Sequence, residues 1–280
     1  MIWELKAQHK ISLLIKVSGL PRATYYYHAA RLEQPDKYSE IKEQITGIFA
    51  EHKGRYGYRR VTQELRNRGY IINHKTVQRL MKELGLVCMV RMKKYRSCKG
   101  ELGKIAPDLL GRNFEAQLPD EKWATDVTEF RLFGQKIYLS LILDLYSRDI
   151  VSYTIFDRPV LSMVTSMLDK ALAQLPAKTN LILHSDQGWQ YQHKAYQRML
   201  NAKHIHQSMS RKGNCLDNAI IENFFGLLKS ELLYLQSFDS VDHFKAELAD
   251  YLHYYNNKRI KAKLKGLPPV VHRQQALLTA

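Results

Sequence analysis

One change of pattern restricts the fold of this 280-residue chain more than any other feature: helical periodicity gives way to strand patterns near Lys122. Three strand-like segments then follow one another with only short turns between them: 123–130, 136–145 and 149–156. This spacing is typical of an antiparallel meander. The remaining pattern alternates helices at 161–175, 193–200, 217–235 and 241–256 with strands at 181–184 and 205–209. We therefore predict a mixed α/β sheet of three antiparallel and two further strands, flanked by helices.

The first ninety residues have apolar residues at helical spacing, broken by glycine and proline. Helices are predicted over five segments: 11–17, 21–31, 41–49, 59–68 and 74–84. The first two outline a partial helix-turn-helix over residues 1–35, although a plain helical hairpin fits this segment equally well. The last three form a predicted helical DNA-binding domain over residues 38–90. Asn73 is a good N-cap for its final helix, and Gly85 is a good stop.

The net charge of +16 is concentrated in one part of the chain. Residues 51–100 hold 14 Lys and Arg but only 3 Asp and Glu, a balance of +11. Such a stretch indicates a polyanionic partner, with nucleic acid favoured over an anionic membrane and over a basic surface that binds nothing. The helix at 74–84 has one apolar and one polar face, which suits a major groove. The candidate DNA contacts of this region are Arg59, Arg60, His74, Lys75, Gln78 and Arg79.

Residues 91–120 are predicted to be a basic linker, because glycine and proline interrupt regular structure there. Such a linker either follows a phosphate backbone or only tethers two regions. Residues 121–280 then form the α/β core with a C-terminal helical tail.

Several other classes of protein are disfavoured. The three cysteines form no Cys-x-x-Cys pair, which argues against a disulfide framework or a classical zinc site. No run of about 18 apolar residues is present to span a bilayer, and the N-terminus lacks the apolar segment of a signal peptide. We therefore expect a cytoplasmic protein that associates with the nucleoid.

Three carboxylates are the candidate catalytic residues. Asp126 lies in the first predicted strand, Asp186 follows the apolar run at 181–184, and Glu222 lies in the helix at 217–235. Carboxylates at strand ends and on an adjoining helix can converge, and they repel one another strongly unless divalent cations neutralise them. Hard oxygen ligands suit Mg²⁺ or Mn²⁺, and two such ions about 3.5–4 Å apart form a common clamp for displacement at a phosphodiester. The set predicts a metal-dependent enzyme that cuts and joins DNA strands.

Each of these carboxylates, taken alone, is more often structural than catalytic. Asp144 competes with Asp126 for the first position, because it too ends an apolar strand. Asp126 is favoured because of its Trp-x-x-Asp context, and both Asp144 and Glu129 are interpreted as supporting or structural residues. His184 is interpreted as a neighbour that supports Asp186 rather than a metal ligand.

Four motifs resemble one known family over nearly the whole chain. They are Trp123-Ala-Thr-Asp126-Val-Thr, His184-Ser-Asp186-Gln-Gly188-Trp-Gln190-Tyr191, the run from Ser210 through Glu222 to Lys229, and the tail from Tyr254 through Leu267-Pro-Pro269. Together they resemble the ribonuclease H-like core of retroviral integrases and DDE transposases. More narrowly, the chain resembles the second-frame product of a bacterial insertion sequence of the integrase-like group. One departure is Lys261-Ala262, where the family pattern usually has a histidine.

The resemblance implies a DNA transposase, a polynucleotidyl transferase with two Mg²⁺ or Mn²⁺ ions per active site. Asp126 would bridge both ions, while Asp186 and Glu222 would each hold one. The resemblance further implies cleavage at the terminal inverted repeats of the element, then strand transfer to target DNA by direct transesterification. It also implies a homo-oligomer on DNA, and an upstream-frame product or frameshift fusion that completes the working enzyme.

Two residues share a helical face with Glu222. Lys229 is seven positions after it and Asn218 four before it. The family gives the position of Lys229 a role in holding a phosphate of the element's end, and Asn218 is a further candidate DNA contact. The preceding loop at Gly213-Asn214 is predicted to close over the site only on DNA.

Two rival functions remain from the residues alone. One is a DNA-binding regulator whose α/β region has no catalytic activity. The other is a nuclease that hydrolyses nucleic acid without joining it.

Overall fold

The computed structural model describes residues 5, 7–33, 36–90, 106–176, 179–211 and 215–279. Its first part contains the five predicted helices: α1 (Ile11–Ser18), α2 (Arg22–Glu33), α3 (Ser39–Glu51), α4 (Tyr58–Asn67) and α5 (His74–Glu83). The side chain of Asn73 accepts the backbone N–H of Lys75 at 2.8 Å, which caps α5. Gly85 adopts a φ of 69° just after α5, a conformation that ends a helix without steric cost.

Helices α3, α4 and α5 pack around one apolar core, here called the helical region together with the loops that join them. The core residues that these helices contribute are fully or almost fully buried: Ile45, Ile48, Val61, Leu65, Val77, Leu80 and Met81. Ile260, from the C-terminal part of the chain, completes this core. The helical region is therefore joined to the rest of the molecule by apolar packing as well as by the chain itself.

A five-stranded sheet forms the centre of the second part. The strands are β1 (Lys122–Leu132), β2 (Gln135–Asp144), β3 (Ile150–Phe156), β4 (Ile182–Ser185) and β5 (His206–Met209). They are arranged in the order β3-β2-β1-β4-β5. The first three form the predicted antiparallel meander, while β4 runs parallel to β1 and β5 runs parallel to β4. The predicted mixed sheet is confirmed.

Helices cover both faces of this sheet. The elements are α6 (Leu161–Leu172), α7 (Lys194–Ala202), α8 (Ala219–Leu228) and α9 (Val241–Asn257). The last helix, α10 (Pro269–Thr279), packs against α9. Helices α6 and α7 contribute to one apolar cluster, and α8 and α9 contribute to the other. Because β2 is covered on both sides, its residues from Ile137 to Asp144 are all buried, and most of them are apolar. No helix in the described ranges has the length and apolar character needed to cross a membrane.

The helix predicted over 217–235 is not one continuous α-helix. It consists of a 3₁₀ turn at Cys215–Asn218, the α-helix α8, and a π-helical turn at Lys229–Leu233. The prediction failed because helical periodicity does not register a one-residue change in hydrogen bonding. The π turn begins at Lys229 and contains the buried Glu231.

Part of the predicted linker belongs to the core. Leu110 is buried in the apolar cluster beneath α8 and α9, and the N–H of Leu109 donates to Ser208 Oγ at 2.9 Å. Arg112 pairs with the buried Asp217 at 3.0 Å. Residues 106–120 are therefore neither a free tether nor an extended DNA-tracking strand, because apolar and charged side chains anchor them. Residues 91–105 lie outside the described residues.

Candidate active site

Asp126 lies on the central strand β1, opposite Leu141 of β2. Its Oδ1 accepts the N–H of Val127 at 2.7 Å. Removal from water raises the pKa of its carboxyl well above the usual range, and the negative charges of Asp186 and Glu222 raise it further. Asp126 therefore lies within electrostatic range of both other candidate carboxylates.

Asp186 comes beside Asp126 because of the strand register. In the parallel pair of β1 and β4, Ala124 is opposite His184. Asp126 and Asp186 each lie two residues beyond that pair. Asp126 on β1 and Asp186 just after β4 are therefore at the same level of the sheet. The Oδ1 of Asp186 accepts the N–H of Gly188 at 2.8 Å, and burial raises the pKa of its carboxyl.

The turn after β4 leaves no room for a side chain at Gly188. A Cβ there would lie 2.6 Å from Gln190 Nε2 and 2.9 Å from Asp186 Oδ1. Glycine thus permits the backbone to approach the carboxylate closely enough to hold it by an N–H.

Glu222 lies in the first turn of α8, which packs over the same sheet. Lys229 follows at the end of this helix, with Nζ 5.6 Å from the centre of the Phe130 ring. Burial lowers the pKa of Lys229, while the carboxylates of Asp126 and Glu129 oppose that shift. The cation of Lys229 also lowers the pKa of Asp126, so this positive charge belongs to the same site.

The chemistry of these side chains fits a hard divalent cation. Three carboxylates with elevated pKa or mutual repulsion favour a compensating positive charge, and their oxygens suit Mg²⁺ or Mn²⁺. Among the residues that the structure describes, no group of three His, Cys, Asp or Glu side chains is arranged to hold a metal ion. The charges of Asp186 and Glu222 thus act on the carboxyl of Asp126, but the three side chains as described do not converge on one point. The predicted closing loop at Gly213-Asn214 lies outside the described residues.

Asp144, the alternative to Asp126, has a structural environment. Its Oδ1 accepts the N–H groups of Tyr146 and Ser147 at 2.8 and 2.7 Å, together with the Ser147 hydroxyl. Its Oδ2 accepts the N–H of Asp120 at 2.8 Å. Asp144 is opposite Trp123 in the sheet, three residues away from the level of Asp126. Its oxygens therefore stabilise the turn between β2 and β3.

Two other residues considered in the sequence have supporting positions. Glu129 pairs with Arg131 at 2.6 Å and Lys136 at 3.1 Å, and the first of these contacts contributes most to lowering its pKa to about 2. His184 is fully buried, its Nδ1 lies 2.8 Å from Ser208 Oγ, and burial lowers the pKa of the imidazole. Neither arrangement is that of an exposed ligand.

The predicted DNA contacts divide into exposed and engaged side chains. His74, Lys75 and Gln78 are exposed along α5, and Arg59 is exposed on α4. Arg79 is also exposed but pairs with Glu83 one turn later.

Arg60 and Asn218 have other surroundings. Arg60 Nη1 lies 3.4 Å from the buried Glu231 of the core. Asn218 is buried at the start of α8, and its Oδ1 has no hydrogen-bond partner among the described residues. A DNA contact by either residue stays a prediction, and would require it to leave these surroundings.

Two buried residues with a bearing on the site were not predicted from the sequence. Tyr191 is fully buried, and its pKa is raised by burial and by the charges of Asp126 and Asp186. Glu231 is also buried and binds several arginines. The available signal was weak: a tyrosine inside a matched motif, and a glutamate in an otherwise apolar helix.

Comparison with protein families places integrase core domains over most of this part. The model of one integrase core domain matches residues 116–215, and the model of a second integrase core domain matches residues 222–277. The model of an HTH-like domain matches residues 37–95, which include the helical region.

Curated relatives match nearly the full length. The chain is 49% identical over 275 residues to the putative transposase InsK of insertion sequence element IS150 from Escherichia coli, covering 98% of this chain and 97% of the relative. It is 30% identical over 270 residues to the transposase InsF of insertion sequence IS3A from Escherichia coli, covering 94% of each. Among solved structures, the HTLV-2 integrase catalytic core domain aligns with a TM-score of 0.45 at 18% identity, covering 57% of this chain and 99% of that one.

Proposed function

Because this chain belongs to the bacterial insertion-sequence transposases with integrase core domains and an HTH-like domain, we propose that Asp126, Asp186 and Glu222 form its catalytic centre. The enzyme is of the polynucleotidyl transferase type and acts in DNA transposition. The observation that carries the proposal is the register of β1 and β4, which places Asp126 level with Asp186, together with the packing of α8, the helix of Glu222, against β1. The charges of Asp186 and Glu222 accordingly act on the carboxyl of Asp126. Charges that interact in this way lie close together, although they are far apart in the sequence.

The three carboxylates would hold two Mg²⁺ or Mn²⁺ ions. When bound, such ions supply activation of the nucleophilic oxygen and stabilisation of the departing one. The N–H groups of Val127 and Gly188 orient the carboxylates of Asp126 and Asp186. These contacts restrict the rotation of both carboxylates.

Lys229 supplies a positive charge next to the carboxylates. Its aliphatic stem and ammonium group lie at the Phe130 ring, which limits the freedom of the side chain. A non-bridging oxygen of the scissile or neighbouring phosphate would accept a hydrogen bond from its Nζ. That contact would hold the DNA end while the carboxylates act on it.

The reaction proceeds in two displacements at phosphorus. Water first attacks the phosphodiester at the element's end, and a 3′-hydroxyl leaves. This 3′-hydroxyl then attacks a phosphodiester of target DNA, so one ester bond replaces another and no ATP is needed. The basic helical region would bind the terminal inverted repeats through α4 and α5, and two ends would meet in a homo-oligomer.

A cleavage assay with Mg²⁺ and a labelled duplex that carries an element end tests the proposal. Asp126→Asn should abolish nicking while DNA binding persists, because the isosteric amide removes only the charge. Glu129→Gln, a carboxylate on the same strand that pairs with Arg131 and Lys136, is the matched control and should still cut. Cleavage by Asp126→Asn at the rate of the unmodified protein would refute the assignment.

A strand-transfer assay with the unmodified protein and pre-cut element ends distinguishes a transposase from the two rival functions. A transposase joins the 3′-hydroxyl to target DNA and yields a longer product. A nuclease yields only fragments, and a regulator yields neither.

A further inference from the structure

Glu231 connects parts of the molecule that are far apart in the sequence. It is 1% exposed, and its carboxylate accepts Arg259 Nε and Nη2, each at 2.8 Å, and Tyr251 Oη at 3.0 Å. Arg60 Nη1 approaches the same carboxylate at 3.4 Å. Arg55 Nε donates to the backbone carbonyl of Glu231 at 2.9 Å. One buried residue thus receives groups from the helical region, from α9 and from the C-terminal segment.

The position of Glu231 relates it to the proposed catalytic centre. It lies in the π turn at Lys229–Leu233, two residues after Lys229. This turn directly continues α8, which carries Glu222 in its first turn. Any displacement of Glu231 would therefore move the helix end that carries Lys229. Two of the arginines that contact it, Arg60 of α4 and Arg55 of the loop before α4, lie in the part matched by the HTH-like domain.

Further contacts run between the same two parts close to Glu231. Tyr56 is fully buried; its hydroxyl accepts the N–H of Ile260 at 2.9 Å and donates to the carbonyl of Lys258 at 3.3 Å. His52 stacks on the Tyr56 ring with centroids 3.7 Å apart, and its Nδ1 lies 3.1 Å from Tyr254 Oη. The junction is therefore both polar and closely packed.

Such an arrangement is sensitive to the loss of one partner. Burial alone would raise the pKa of Glu231, but the hydrogen bonds and charge of Arg259 and the charge of Arg60 hold it below its usual range. A buried carboxylate with its arginines is a poor source of net stability compared with apolar packing. It is strongly directional, however, because the bidentate arginine geometry defines both distance and angle. These properties suit a residue that fixes relative position.

We propose that Glu231 is a positioning residue that sets the distance between the DNA-contacting helical region and the catalytic carboxylates. This inference rests on the proposed function above. The nick then falls a constant number of nucleotides from the sequence held by α4 and α5. The buried contacts of Glu231 thereby fix the distance between the bound terminal sequence and the cleavage site.

The test maps nick positions at single-nucleotide resolution, using the full chain and an end-labelled duplex that carries the element end. Glu231→Gln should lower the fraction cut at the main position at least about tenfold and spread the rest over neighbouring nucleotides. Glu247→Gln is the matched control, since it weakens the peripheral Lys53–Glu247 pair at 3.2 Å between the same two parts and leaves the contacts of Glu231 in place. It should cut at the usual position.

Tyr56→Phe serves as a milder second variant. It keeps the ring and removes only the hydroxyl contacts to Ile260 and Lys258. Its nick positions should spread in the same direction but less. If Glu231→Gln fails to fold, the result of Tyr56→Phe decides.

Thermal unfolding without DNA separates this inference from the proposed function. The unmodified protein should unfold in one transition. Glu231→Gln should unfold in two, because the coupling between the helical region and the core is weakened even though the contacts of Ile260 and Tyr56 remain. A single transition together with unchanged nick positions in both variants would overturn the positioning role. Loss of all cleavage in the unmodified protein, with two transitions still seen for Glu231→Gln, would overturn the proposed function and leave the coupling standing.

Discussion

At Asp126 a carboxylate occupies a central strand, partly withdrawn from water, and receives the negative potential of Asp186 and Glu222. Both effects disfavour the ionised form, so its pKa in the fold lies above the unfolded value of 3.8. A carboxyl with a raised pKa binds its proton more tightly in the folded state. It therefore lowers the free energy of unfolding as pH rises from the unfolded pKa through the folded one. Near neutral pH, without a cation, the ionised carboxylate of Asp126 therefore destabilises the folded state.

Asp126→Asn should accordingly raise the free energy of unfolding by about 1–2 kcal/mol in metal-free buffer at pH 7. The amide keeps the shape of the side chain and removes the charge. Adding Mg²⁺ should raise the melting temperature of the unmodified protein more than that of the variant, because binding to the folded state stabilises it. Calorimetry with and without Mg²⁺ checks both statements. An equal response of the two proteins would count against Asp126 as a ligand.

Gly188 provides a second prediction at this scale. Gly188→Ala should lower the cleavage rate about tenfold or more, since its Cβ would meet Asp186 Oδ1 at 2.9 Å and displace the carboxylate. DNA affinity should not change, because the helical region is untouched. Single-turnover cleavage and an equilibrium binding assay measure the two quantities.

Gly47→Ala is the control for Gly188→Ala. Gly47 lies within α3, with nothing within 4 Å of an added Cβ. Alanine there should raise stability by about 0.5–1 kcal/mol and leave cleavage unchanged. Full activity of Gly188→Ala would show that the turn after β4 adapts without moving Asp186.

Among the elements, α5 has the properties of a helix that reads DNA. Its apolar face, with Val77, Leu80 and Met81, is buried in the helical region. Lys75 and Gln78 are exposed on the opposite face. The two polar residues are expected to act differently, because an ammonium group binds any phosphate while an amide can bond specifically to a base edge.

Lys75→Ala should weaken binding to all DNA sequences and reduce the slope of log affinity against log salt by about 1. Gln78→Ala should leave that slope unchanged and reduce the preference for the element end over a scrambled duplex by about tenfold. Salt titrations of binding on both duplexes measure these effects. Lys170→Ala, exposed on α6 of the core, is the control and should alter neither quantity. Uniform loss of affinity in Gln78→Ala would exclude base reading by this residue.

In the whole molecule, some of the basic residues that the charge pattern assigns to DNA lie instead in the junction around Glu231. Arg55 is 4% exposed and lies over the rings of Tyr251 and Tyr254 at 5.3 and 4.8 Å. Arg60 faces Glu231. Within the described residues 51–90, the basic side chains are therefore divided between an internal junction and an outer surface.

The same junction predicts acid sensitivity. His52 is 2% exposed and burial lowers its pKa from 6.5 to about 4. Its neutral form is favoured in the fold, so the unfolded chain binds more protons between these values. Stability should be complete above pH 6.5 and should fall by about 1–2 kcal/mol on going to pH 5. Denaturant titrations from pH 5 to 7.5 test this, and His52→Gln should show a shallower pH dependence. Identical pH profiles would remove His52 as the cause.

Much of the fold was determined by local sequence. Strand alternation after Lys122, helical spacing before residue 90, and the cap formed by Asn73 each depend on neighbours a few positions apart, and the structure contains all three. The candidate carboxylates were also found in the sequence, because motifs surround each of them. Their catalytic role stays a prediction.

Other features depended on contacts between distant segments. The parallel register of β1 and β4 brings Asp126 level with Asp186. The carboxylate of Asp144 instead accepts hydrogen bonds from backbone N–H groups of its own turn. Arg55 and Glu231 meet across 176 positions of sequence. Local periodicity carries no information about such meetings, since the same basic loop could face solvent or a buried carboxylate. Only the packing of the helical region against the core decided which arginines remain available to DNA and which are held inside the protein.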